Sequence, residues 1–436
     1  MATASSVQVT TNQYPNFYRE GITQESSQKL SELLQENHDK HHIFFNADGF
    51  HNHIAHQLLT IWALKASPKD LQRGYNTNRN YQRPTTKPSP NTIQSLRDPH
   101  KFHAHLGPQE HYNDFLQFFT EEIDKKGWQD VLNEYVFSGS ALADDMLVRM
   151  YAGFLHPLIH LGFGVEFQQP PIVAEALAQA AVHDAWIEDL LLPAEKMAKE
   201  NGNDKTIVQL LDEIHANKEI REGPKWEDQN KIRDGILKRC PKPVLHIVSQ
   251  VRVKPEQLEE KTAEMTNASI YYTGGAQRAN KVPKFDFYFM HCVNCSVFFP
   301  AFLKQDWLSQ ANKVRLLEWK TRLDLAMYAS RKSPEIRLQD IRSYTPKKAS
   351  GWDEIFDRVV GFDDDGHASK LIRAIANGEK ICRPYEGKSG FMLGGGDWLK
   401  LGHMVIDSVE RPGATWVRSA GFDEAWEDVA ERGAKL

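Results

Sequence analysis

The sequence predicts a mainly α-helical fold, all-α in class: one large catalytic-sized domain with few short strands. Three observations carry that expectation. Apolar residues recur at helical spacing through most of the chain, as at Leu30, Leu33 and Leu34, at Phe115, Phe118 and Phe119, and at Leu142, Met146 and Leu147. Good helix formers dominate whole segments, as between Val173 and His183. Period-two alternation of apolar and polar residues is scarce, so few strands are expected. The chain has 436 residues, 41% hydrophobic and 25% charged, with a net charge of -5. That is enough for an ample core and gives no sign of a disordered or fibrous protein.

Taken in order, residues 1–20 carry no basic start and no long apolar run, so they read as a disordered tail rather than a secretory signal. Residues 21–436 read as one catalytic domain. An amphipathic helix spans Ser26 to Glu36 and a second runs from Phe50 to Leu64. The stretch from Tyr75 to Pro99, rich in Asn, Arg, Thr and Pro, reads as a long loop. Helix upon helix follows from Tyr112 to Trp186. Pro157 suits the first turn of a new helix, or a kink in one arriving through Val148 to Leu155. Residues 195–240 turn polar around short apolar pairs such as Leu210 and Leu211, and read as a helical excursion or lid. The uncharged run from Phe287 to Leu303 contains His291, Asn294 and Pro300 and reads as a buried helix, not a membrane span. From Leu316 to Tyr328 a helix carries a polar stripe of Glu318, Arg322 and Asp324, the mark of a solvated or internally paired face. A last helix opens at His367 and is expected to stop at Asn377-Gly378.

Composition also excludes. The 53 Lys and Arg are interspersed with 58 acids, so nucleic acid is not an expected partner, and no membrane partner is expected either. Four cysteines in this length suit a reducing compartment, and the expected location is cytoplasmic. Cys292 and Cys295 lack the second pair a zinc ribbon needs and read as core thiols. There is no dinucleotide-binding glycine motif after a strand, no P-loop and no nucleophile elbow, so no flavin is expected.

What stands out is histidine set in apolar surroundings. His156-Pro157-Leu158-Ile159-His160 places two imidazoles four residues apart on one helical face. His51, His53 and His56, then His291, then His367 occupy three more such segments. One buried histidine is an ordinary core residue, but four such segments exceed what packing needs. His367 and Lys370 lie one turn apart at a helix amino terminus, where the dipole keeps an imidazole neutral. A lysine buried there loses its proton readily, and its amine then reacts with carbon dioxide to give a carbamate that ligates as a carboxylate does. The competing reading is a helical scaffold with satisfied core histidines.

The segments Phe50 to His56, His156 to Phe167, Leu316 to Ser330 and Asp364 to Lys370, with Trp398 to Gly402, resemble the fungal questin oxidase-like family over roughly residues 20–410. The resemblance implies an oxygenase that cleaves the quinone ring of an anthraquinone in polyketide biosynthesis, either by dioxygenation at a mononuclear non-haem Fe(II) or by Baeyer–Villiger monooxygenation of the questin type, NADPH-requiring or cofactor-free. The partners it implies are an aromatic polyketide and O2, with NADPH as candidate reductant; it does not fix an oligomeric state. It implies His56, His160, His291 and His367 as ligands together with Lys370 as carbamate. His53 and His156 are then the catalytic acid–base pair. Within each cluster the assignment stays open: His51 or His53 can replace His56, and His156 can replace His160. Lys380 is the weaker carbamate candidate, since it follows the expected helix stop.

Overall fold

In the computed structural model, residues 2–433 are described; Met1 and 434–436, the extreme ends of the expected tail and domain, lie outside them. The described residues are mainly helical, and the only β-pairing among them is isolated bridges such as Phe44 with His51. The chain forms two compact units. The first comprises Met1–Ile187, Pro300–Ser309 and Val360–Lys370; the second comprises Glu188–Phe299, Gln310–Val359 and Leu371–Leu436.

The first unit is built on helices whose ends are written in the sequence. Gln24–Lys40 starts where the Thr23 side chain accepts from the Ser26 amide, and it buries Leu30, Leu33 and Leu34. Ile54–Ala63 is buried on every face, its polar residues His56, Gln57 and Thr60 included. Pro68–Arg79 opens with a reciprocal Ser67–Asp70 capping box. Its last turns occupy the start of the expected loop, and a short helix, Pro90–Ser95, forms further along it. Packing overrides composition here. Gly74 lies so close to Gln57 and Ile61 that a Cβ would meet both at 3.3 Å, and Asn78 donates to Gln57 Oε1 and to Gly74 O. The N-terminal segment is not a free tail. Val7 and Val9 are buried, their amides donate to Gln35 and Ser31, and the Asn16 amide donates to Glu166.

In the second unit the helix Gln310–Ser330 is the axis. The polar stretch expected as an excursion or lid is packed into this unit instead. Its sparse apolar residues (Leu210, Leu211, Ile214, Ile220, Ile232, Ile236) are all buried, and Glu195 holds Arg315 at 2.8 Å. The polar stripe on the axis helix is internally paired: Arg322 with Glu318, and Lys320 with Asp324. Cys292 and Cys295 are buried thiols, as expected, and burial pushes Cys295 up to about 12. The helix opened by His367 does not stop at Asn377-Gly378 but continues to Cys382. Gly378 is a packing glycine: a Cβ there would lie 2.7 Å from Ile270 and 3.0 Å from Trp398. Lys380 therefore shares the helix of Lys370, and what sets it apart is ten residues of rise, about 15 Å.

Candidate metal centre

Four pieces of the first unit bring histidines together: the loop before Ile54–Ala63, the start of the helix carrying His156, the end of Pro170–Ala181, and the turn Asp364–Gly366 ahead of His367. The His156 helix begins after Gly153, Phe154 and Leu155, which have φ of 51°, 56° and 70°, and Pro157 then fits its first turn. Three consecutive left-handed residues, two of them not glycine, are costly backbone. They aim the Gly153 carbonyl at His156 Nδ1, 2.5 Å away. Gly153 itself has no room for a side chain, because a Cβ would lie 2.6 Å from the His183 ring.

Hydrogen-bond logic fixes the tautomers. A carbonyl only accepts, so His156 carries its proton on Nδ1. Asp365 accepts from two rings at once, His367 Nδ1 on one oxygen and His53 Nδ1 at 3.1 Å on the other. Burial works against the Asp365 charge, but His367 and His53 outweigh it and hold the carboxyl well below the usual range. Burial, helped by the Lys370 charge, pushes His53 down to about 3, so its ring is neutral. With Nδ1–H directed to oxygen on both rings, the Nε2 atoms of His53 and His156 turn toward each other at 2.8 Å, acceptor side to acceptor side. Two lone pairs at that distance repel unless a cation lies between them. Imidazoles bound about 2.1 Å from one metal at right angles stand about 3 Å apart, which is the separation found. His367 completes the group: one ligand atom from each of His53, His156 and His367 lies within 4.8 Å of the others. The donor set fits a divalent metal, and each ring is oriented by an oxygen acceptor as metal-ligating histidines are.

His56 and His160 are brought together as well, but with one another. His160 Nε2 donates to Glu175 at 2.7 Å, so its Nδ1 accepts from His56 Nε2 at 3.0 Å. Both His160 nitrogens are therefore engaged, while the buried Nδ1 of His56 has no partner. His38 supplies the second bond to Glu175, at 2.6 Å. Lys370 is 4% exposed; burial pushes its amine down to about 8, opposed by Asp365 and Asp364. Its charge in turn helps to depress both His53 and His56. His291 belongs to the second unit, fully buried, with Nδ1 donating to Phe287 O. Three participants went unnoticed in sequence. Asp365 stands two residues before His367, and Glu175 is the one charge between Ile172 and Val182. His183, whose Nε2 meets His51 Nε2 at 2.8 Å, carried no signal beyond ending an apolar helix.

Comparison with known proteins identifies the family. The family described as questin oxidase-like matches residues 50–375, a span holding all the clustered histidines but His38. The Baeyer-Villiger oxidase ptaJ of Pestalotiopsis fici is 41% identical over 414 residues, 93% of each chain. The questin oxidase of Aspergillus terreus is 39% identical over 407 residues, 91% of each. The oxidoreductase AflY of Aspergillus parasiticus is 40% identical over 426 residues, 96% of this chain and 86% of that one. At this identity over nearly the whole length, the chain belongs to the questin oxidase-like family and is an oxidoreductase.

Proposed function

We propose that this oxidoreductase opens the quinone ring of an anthraquinone-type polyketide with dioxygen, at a mononuclear non-haem Fe(II) held by His53, His156 and His367 with a carboxylated Lys370 beside them. The observation that carries the proposal is the convergence of one ring nitrogen from each of His53, His156 and His367 within 4.8 Å, two of them 2.8 Å apart, as ligation of one cation requires. The relatives' names, questin oxidase and Baeyer-Villiger oxidase, support the substrate class. When bound, Fe(II) supplies the one-electron chemistry that lets dioxygen react with a closed-shell aromatic.

The chain's own residues do the rest. Asp365 locks two rings in the Nδ1–H tautomer and adds negative charge behind them. Lys370, as an ammonium, would oppose a dication; its free amine adds to carbon dioxide, loses one proton and becomes an anion instead. His56 is the acceptor for a substrate phenol proton. Nδ1 takes that proton while Nε2 passes its own to His160 Nδ1, and His160 Nε2 passes one to Glu175, so the positive charge need not stay on the most buried ring.

The second reading is Baeyer–Villiger monooxygenation, here with electrons drawn from NADPH; the names of several relatives favour the Baeyer–Villiger reaction itself. Metal analysis and turnover of a phenolic anthraquinone under labelled dioxygen separate the two. Iron at about one per chain with two labelled atoms in the product supports dioxygenation. One labelled atom with NADPH consumed supports the second reading, and full turnover after complete chelation refutes the iron site.

A further inference from the structure

Phe50 and Tyr81 are 47% and 43% exposed, yet neither is a stray surface ring. Both pack on Phe45, Phe50 tilted at 5.9 Å between centroids and Tyr81 edge-on at 5.1 Å. The turn that presents them is tied down by its own hydrogen bonds. The Phe45 amide donates to Phe50 O, the Phe50 amide donates to Asn46 Oδ1, and Arg83 donates to Asn46 O and to Gln109 Oε1. Hydrophobic rings held at the surface by a rigid turn are placed there at a cost in solvation, and clusters of this kind mark binding edges.

The three rings are continuous with the histidine cluster. Phe44 bridges to His51 along the backbone, and its ring lies 5.3 Å from His51 and 5.2 Å from His183. On the other side the Tyr81 hydroxyl donates to Asn78, and Asn78 and Gln57 both donate to the Asp364 carbonyl. That carbonyl belongs to the turn whose next residue, Asp365, orients His53 and His367. Size decides the occupant. An aromatic side chain offers roughly 150–250 Å² at most, and these are already half covered, so the three fall short of the ~800 Å² per partner of a stable protein interface. A flat fused-ring molecule is the match: its face stacks on the exposed rings, on the side where the neighbouring Phe44 packs against His51 and His183.

We infer that Phe45, Phe50 and Tyr81 form a preorganised aromatic lip that binds the outer ring of a flat, polycyclic phenolic substrate and so selects for ring count. The inference rests on the substrate class proposed above, and its test separates the two. Binding of 1,8-dihydroxyanthraquinone to the metal-loaded full chain is followed by its visible absorbance, with a single-ring hydroxybenzoquinone as comparison. Phe50→Ala and Tyr81→Ala each weaken anthraquinone binding and raise KM about five- to tenfold, with iron content and melting temperature retained. Tyr81→Phe, which keeps the ring, stays within twofold of the parent. The single-ring compound, with too little face to cover more than one ring of the lip, binds all four proteins alike. Tyr14→Ala, removing an exposed ring at the N-terminal segment, changes nothing. Unchanged anthraquinone binding in Phe50→Ala overturns the lip, as does an equal loss in Tyr14→Ala. A shift from dimer to monomer in Phe50→Ala with binding intact also overturns it, assigning the rings to self-association. If the parent protein binds no anthraquinone at all, it is the proposed substrate class that fails.

Discussion

Asp365→Asn tests the centre at the point where one side chain orients two ligands. The carboxylate gives one oxygen to His367 Nδ1 and the other to His53 Nδ1. Asparagine keeps the shape but offers one oxygen and one NH2. Whichever ring faces the NH2 meets donor with donor, and it relieves the clash by moving its proton to Nε2. That converts a ligand atom into an N–H. A hydrogen bond to a charged group contributes about 1.5–3 kcal/mol, and replacing an orienting carboxylate costs about 10- to 100-fold in metal affinity, so two independent estimates agree. The Asp365 side chain is 35% exposed, which favours the lower half of that range, near tenfold to thirtyfold. Anaerobic Fe(II) titration against a competing chelator reads the affinity directly, with thermal melting as the control for folding. Parent-like iron affinity in a folded Asp365→Asn protein would refute both the ligand assignment and the tautomer argument beneath it.

Three further outcomes follow from the same geometry. Lys370→Ala loses iron and turnover together, Lys370→Glu regains part of the iron, and bicarbonate raises activity in the parent but in neither variant; full iron and turnover in Lys370→Ala would end the carbamate proposal. Gly153→Ala places a Cβ 2.6 Å from the His183 ring at a positive φ, so it lowers stability by about 1–3 kcal/mol and displaces His156; an unchanged urea midpoint and iron content would contradict the packing. Acid weakens the metal-free fold. His53 is held at about 3 and His42 and His183 at about 4, each chiefly by burial, against 6.5 in the unfolded chain. The unfolded state then binds the extra protons, so this stability is present above about pH 6.5 and is lost as pH falls toward 4. His38 works the other way: burial lowers it, but Glu175 outweighs burial and raises it. With His41 and His56 also lowered by burial, five histidines stand against His38, so the melting temperature should drop between about pH 7 and pH 5, and a flat or rising profile would be inconsistent with neutral buried rings.

Much of the fold was legible because helical repeats and caps are local signals. Thr23, Ser67, Ser140 and Thr206 each cap a helix with the side chain expected of those residues. What escaped depends on distant packing. The glycine in Asn377-Gly378 looks like a stop, but the stop reading assumes free space, and Ile270 and Trp398 occupy it. Residues 1–20 look too polar to order, but Val7 and Val9 need only the side-chain oxygens of Gln35 and Ser31 to satisfy their amides. The left-handed run before His156 could not be anticipated, since Phe154 and Leu155 are not residues that choose such a backbone.

The candidate site shows why residue types alone left its roles open. Sequence spacing puts His53 and His56 on one face, and His156 and His160 on another, so either member of each pair suits a ligand. The partners that separate them come from elsewhere in the chain. Asp365, more than 300 positions from His53, takes that ring's Nδ1 proton into a hydrogen bond and leaves Nε2 bare. Glu175 takes the Nε2 proton of His160, which turns its Nδ1 into an acceptor and makes His56 the donor. Two neighbouring pairs thus end in opposite states: one turns acceptor toward acceptor, the other is a donor–acceptor chain running from His56 Nε2 to Glu175, with the His56 Nδ1 left open to take a proton. Exchanging the two carboxylates' effects is therefore informative: Glu175→Gln, which can reverse the direction of the His160–His56 bond, should impair proton transfer and shift the pH profile of turnover while sparing iron, whereas Asp365→Asn should act on iron first. Equal loss of iron in both variants would place all four histidines around a single metal and undo the division of roles drawn from their tautomers.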